Sequence, residues 1–302
     1  MKKLKTALMY AFFSCAAAFS SITAYADLVV PPDDGGKKSS LCSSVSAVNQ
    51  VASAAAISAS LLLSTQSMIG LAADTVQQIS EYGKLLLPVM TGAMAAQGNL
   101  TTSAALYGGT AAFASLLGKL ISGLFLPMVY FYLALAISYS ALGEDCLKRM
   151  RDMLKGTVSW CLKTLLTVFV TYMSITGVVS GTTDAAALKA AKVSISTFVP
   201  VVGSILSDAS EAVLVSAGLA KNAAGIYGIL AILAVFLRPF LKIGVHYLVL
   251  KLTSLIITLV GTKHNAELVL DYSGAMGLLL AMTGSVCLMQ LISAVCFLKG
   301  VG

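Results

Sequence analysis

Of 302 residues, 58% are hydrophobic and only 11% charged, whereas ordinary globular chains are about a quarter charged. A mean hydropathy of +0.89 excludes a single water-soluble core and places the chain in a bilayer. The formal charge of +7 is scattered or juxtamembrane, with no basic patch interleaved with aromatics, so it points to membrane lipid and away from nucleic acid.

Residues 1–26 read as a cleavable secretory signal. Lys2, Lys3 and Lys5 precede an apolar run from Ala7 to Phe19, and Ala24-Tyr25-Ala26 sets small residues where a signal peptidase needs them. Cleavage before Asp27 removes those three lysines and lowers the net charge to +4. Residues 27–45, with the run PPDDGGKKSS, read as a polar spacer expected to be disordered outside the membrane. Residues 46–302 read as one helical membrane domain. The cysteines beyond the signal, Cys42, Cys146, Cys161, Cys287 and Cys296, are odd in number and form no CxxC pair, so neither a disulfide framework nor a metal site is indicated.

The pattern is all-α, with helices separated by Gly, Pro and charge and no alternation of period two. Spans near the roughly 20 residues a bilayer needs are expected at 53–73, 104–122, 121–142, 157–180, 224–243, 244–261 and 274–298, and neighbouring ones can fuse. Leu85 to Gly98, broken by Pro88 and Gly92, is too short to cross and reads as a re-entrant or interfacial piece. Gly143 to Lys163 reads as an interfacial helix: Leu147, Met150, Leu154, Val158 and Cys161 recur at helical spacing and Lys148, Arg149, Arg151 and Lys155 take the other face. Glu144 and Asp145 suit its positive N-terminal end, and Trp160 suits the headgroup boundary.

Proline spacing suggests a duplication. Pro88 and Pro127 lie 39 residues apart, as do Pro200 and Pro239, so one offset of 112 superposes both pairs. Repeats at about 80–185 and 190–300 then each carry a Pro/Gly-broken segment, a Pro-containing span and a charged connector, EDCLKRMRD in one and KHNAELVLD in the other.

The second broken segment is the charged one. Asp208 can act as an N-cap, with Glu211 three residues on completing a capping-box variant, for a helix running to Lys221 and ending near Gly225. Ser207, Glu211, Gly218, Lys221 and Asn222 fall within one arc of that helix. Either Asp208 and Glu211 only cap and Lys221 only complements the C-terminal dipole, or the stripe lines a hydrated path or a partner helix. A second polar stripe follows at Arg238, Lys242 and His246, next to Pro239, for which Asp208 or Glu211 are the natural acidic partners. Enzyme signatures are absent: there is no HExxH, GxSxG or P-loop, the only histidines are His246 and His264, and neither catalytic residues nor a cofactor is expected.

Residues 196–228, STFVPVVGSILSDASEAVLVSAGLAKNAAGIYG, resemble the signature block of the stage III sporulation protein AE family. The resemblance rests on Pro200, Val201, Val202 and Gly203, on the helix start with Asp208 and Glu211, and on Lys221, Asn222 and Gly225. The run from Gly98 to Ala104, the Pro127 span, Lys155 to Trp160, and Asp184 with Lys189 and Lys192 agree with it. It implies a polytopic protein of the mother-cell membrane around the engulfed forespore, without enzymatic activity. It also implies membership of the secretion-like stage III sporulation A assembly, with other stage III sporulation A proteins and stage II sporulation protein Q as partners. The expected role is export gate, channel or core membrane subunit; a scaffold without its own conduit, or a stand-alone secondary transporter, is the alternative.

Overall fold

The computed structural model describes residues 38–198, 203–260 and 263–299, with side chains over 51–176, 215–259 and 265–298. Among these residues every element is helical: α1 (Lys38–Ala96), α2 (Leu100–Leu120), a π-helical segment (Ile121–Phe125), α3 (Leu126–Leu142), α4 (Asp145–Phe198), α5 (Gly203–Val260) and α6 (Lys263–Lys299). Five stretches are long and apolar enough to cross a membrane: Val51–Ala96, Leu100–Leu142, Asp145–Thr176, Val215–Leu259 and Asn265–Leu298.

The seven expected spans therefore become five. Residues 104–122 and 121–142 join through the π segment, whose wider turn accommodates Pro127 at the start of α3. Residues 224–243 and 244–261 form one helix through Pro239. The connector helix and the 157–180 span are likewise continuous as α4. Pro88 does not break α1 either, so Leu85 to Gly98 is no separate re-entrant piece up to Ala96. One proline in a helix interior costs about 3 kcal/mol. Leu87 before it and Met90 and Met94 after it, all buried, stabilise the helix on both sides by more than that. At about 1.5 Å per residue, the 45-residue stretch Val215–Leu259 is about 67 Å of helix, roughly twice the hydrocarbon thickness.

Two turns stop helices where the chain requires a left-handed residue. Gly98 (φ 87°) joins α1 to α2, and Gly143 (φ 73°) closes α3 by donating its N–H to Tyr139 O at 2.8 Å.

The chain divides into two compact units. The first comprises the chain up to Ala73, Gly123–Trp160 and Pro239–Ala281. Its part of α1 buries Ala54, Ser58, Leu61, Thr65, Met68 and Ala72, alternating four and three residues apart, which is the seam of a packed helix. Phe125, Tyr132, Tyr272 and Met276 fill its interior. The second unit comprises Asp74–Ser122, Cys161–Arg238 and the chain from Met282. Here Phe169, Met173, Met90, Leu106 and Phe297 are buried, and Phe113 packs edge-on to Phe169 at 5.4 Å between ring centroids.

Surfaces fit an apolar solvent. Ile226, Leu230, Leu233 and Leu237, then Leu241, Val245, Leu248, Leu252, Leu255 and Leu259, lie exposed along one side of α5 at near-helical spacing. The exposed hydroxyls of Thr157, Thr167, Thr171 and Ser174 on α4 each donate to the carbonyl four residues back at 2.9 Å, so none offers hydrocarbon an unmatched donor.

Candidate functional site

The first unit concentrates charge where α4 meets α6. Arg151 and Asp271 form an ion pair with side chains only 8% and 9% exposed. Taking such groups out of water is expensive, so the pair persists only because each ion is held several times over. The Arg151 guanidinium also reaches Asp152 at 3.0 Å and lies 5.4 Å from the Tyr139 ring centroid. The Asp271 carboxylate accepts from Tyr132 Oη at 3.4 Å. Gly274, one turn beyond Asp271, is the glycine that lets Tyr132 in: a Cβ there would come within 2.6 Å of the phenol oxygen.

A second, looser bridge flanks the first. Lys148 and Glu267 meet at 3.5 Å with side chains 40% and 41% exposed, and Lys148 also sits 5.5 Å from the Tyr139 ring. Two bases three residues apart on α4 thus face two acids four residues apart on α6, a clamp with one enclosed jaw and one open jaw. Water screens the open pair, so Glu267→Gln is expected to change unfolding free energy by less than about 1 kcal/mol. Denaturant titration of the purified protein in detergent checks this.

Of this cluster, Lys148 and Arg151 lie on the basic face expected from helical spacing, whereas Asp271, Glu267 and Tyr132 carry no local signature of a site. The available signal was the pairing of basic and acidic spacing in the two charged connectors.

The residues singled out from sequence are distributed differently. Pro200, Val201 and Val202 lie outside the described residues. Gly203, Asp208 and Glu211 fall within α5, with side chains outside the described ones. Asp208 is therefore inside a helix that starts at Gly203 and is not its N-cap. That helix does not stop near Gly225 either. Gly225 and Gly228 are buried against Leu298 and Leu86, positions where a Cβ would overlap those side chains, so they serve close packing and not termination.

Within the expected arc Lys221 is buried and its neighbour Asn222 exposed, so those two members meet different surroundings. Of the second stripe, Arg238 is exposed and belongs to the second unit. Pro239 is buried, and Lys242 and His246 are half-buried in the first unit. His246 Nε2 lies 3.3 Å from Ser64 Oγ, while the side chains of Asp208 and Glu211, the expected acidic partners of this stripe, lie outside the described ones. Among the described residues no group of three or more His, Cys, Asp or Glu could hold a metal ion.

Residues 37–300 match the family model described as stage III sporulation protein AE. A curated relative, stage III sporulation protein AE of Bacillus subtilis (strain 168), is 23% identical over 193 residues, which cover 64% of this chain and 48% of the relative. The chain thus spans about half the length of the curated relative it matches. No solved structure matches the chain.

Proposed function

Because the chain belongs to the stage III sporulation protein AE family, we propose that it serves sporulation as a core membrane subunit of the stage III sporulation A assembly. In this reading it sits in the mother-cell membrane around the forespore, beside other stage III sporulation A proteins and stage II sporulation protein Q. Its work is to hold partner subunits, and any passage of the secretion-like complex runs between subunits.

The observation that carries this reading is the filled interior of each unit. Tyr132, Tyr272 and Phe125 in the first, and Phe169, Met173 and Phe297 in the second, are each less than 2% exposed. Side chains of that size, packed at interior density among the described residues, favour a subunit whose helices hold one another over one that encloses a wide lumen. The buried ion pair between α4 and α6 fixes the register of the helices that present the outer surface.

The test is made in sporulating cells with a cysteine-free background. A single cysteine at Lys242 is expected to stay unreactive toward a membrane-impermeant thiol reagent, and the tagged protein is expected to recover other assembly subunits. Ready labelling there would sink the reading in favour of a conduit inside this chain. Solute uptake by the purified protein alone in liposomes would do the same in favour of a stand-alone transporter.

A further inference from the structure

Lys221 is 2% exposed, and among the described residues no carboxylate pairs with it. The described acids of its unit, Asp74 and Glu81, are both exposed, and Glu81 takes the Gln77 amide at 2.8 Å. A lone ammonium in an apolar interior is unfavourable unless something anionic or wet meets it.

What lies nearby is also unsatisfied. Gly218, one turn before Lys221, abuts the Gln97 side chain: a Cβ on Gly218 would come within 2.8 Å of Gln97 Nε2. Helical side chains lean toward the helix N-terminus, which carries Lys221 back over the Gly218 turn and toward residues 97–99. That tight turn is pinned by Gln97 N and Asn99 N, both donating to Met94 O, at 3.1 and 3.2 Å. In it, Gln97 Oε1 and Asn99 Nδ2 are buried without a partner among the described residues. Asn99 is the N-cap of α2 yet makes no side-chain cap bond, which leaves its buried amide unspent at the positive end of a 21-residue helix.

We propose that Lys221, Asn99 Nδ2 and the N-terminus of α2 bind one phosphate group, the headgroup of an anionic phospholipid. The three contribute a cation, an amide donor and a helix dipole, all of which favour a tetrahedral oxyanion. The level in the bundle agrees with a lipid source. The 97–99 turn joins two helices, and Gly225, four residues past Lys221, packs on Leu298, next to the last residue of α6. Helix ends of this kind lie where headgroups lie.

The test uses the full chain purified in detergent, with mass spectrometry of intact protein and bound lipid after partial delipidation. Phosphatidylglycerol is expected to be retained about five- to ten-fold better by wild type than by Lys221→Met, with Lys221→Arg close to wild type. Phosphatidylcholine should show no such difference. A parallel thermal-shift titration with inorganic phosphate separates the sources. Protection by phosphatidylglycerol alone supports the lipid headgroup, while equal protection by inorganic phosphate supports the site with a free oxyanion in it. Equal phosphatidylglycerol retention by wild type and Lys221→Met overturns the proposal. Should Lys221→Met fail to fold, Asn99→Ala supplies the same reading, and unchanged retention there overturns it.

Discussion

Arg151→Met is expected to lower the unfolding free energy by about 3–5 kcal/mol, the loss associated with stranding one ion of a buried pair. Asp271 then stays enclosed with only the Tyr132 hydroxyl as donor, whereas Asp271→Leu leaves Arg151 its contacts with Asp152 and Tyr139. The arginine variant should therefore lose more than the aspartate variant. Replacing both ions together, as Arg151→Met with Asp271→Leu, should recover most of the loss, because apolar groups of similar volume substitute well for a buried pair. Unfolding of the four proteins in detergent, followed by circular dichroism, closes a double-mutant cycle. Losses that simply add, with no recovery in the double variant, would show that the charges do not depend on each other.

The second large effect is steric. Gly109 lies against Tyr172 so closely that a Cβ there would overlap the ring. The ring cannot easily retreat: its hydroxyl donates to Ala105 O at 3.0 Å, and Phe113 packs beside it at 5.8 Å between centroids. Gly109→Val is expected to cost at the upper end of the roughly 1–3 kcal/mol typical of overpacking, and adding Tyr172→Ala should relieve most of it. The adjacent Gly108 is an internal control, since a Cβ there meets nothing within 4 Å. Gly108→Ala should be neutral or slightly stabilising, because alanine is about 1 kcal/mol the better helix former. Equal losses at the two glycines would point to backbone flexibility instead of the Tyr172 contact.

Helicity and membrane character were legible because they are written in composition and local periodicity, which no tertiary contact has to complete. Helix ends were not. Pro88 and Gly225 look like breakers on local preference, but preference at one residue amounts to a few kcal/mol and is overridden when both flanks bury apolar surface, as Leu87 does before Pro88 and Met90 and Met94 do after it. The charged signature was legible in part. A lysine inside an apolar helix announces Lys221 as unusual, yet only the fold brings the turn before it, at Gly218, against Gln97, more than a hundred residues earlier in the chain. Arg151 and Asp271, 120 residues apart, were beyond local reasoning for the same reason.

Trp160 is the only tryptophan in the chain and is 68% exposed on α4, nine residues past Arg151. This chain therefore carries a single indole emitter, already placed on an outer face. Its emission maximum reports the polarity at one known point on one helix, without mixing from other sites. Insertion into a bilayer, capture by a neighbouring subunit and exchange of detergent for lipid each become a spectral shift readable in the unlabelled wild-type protein.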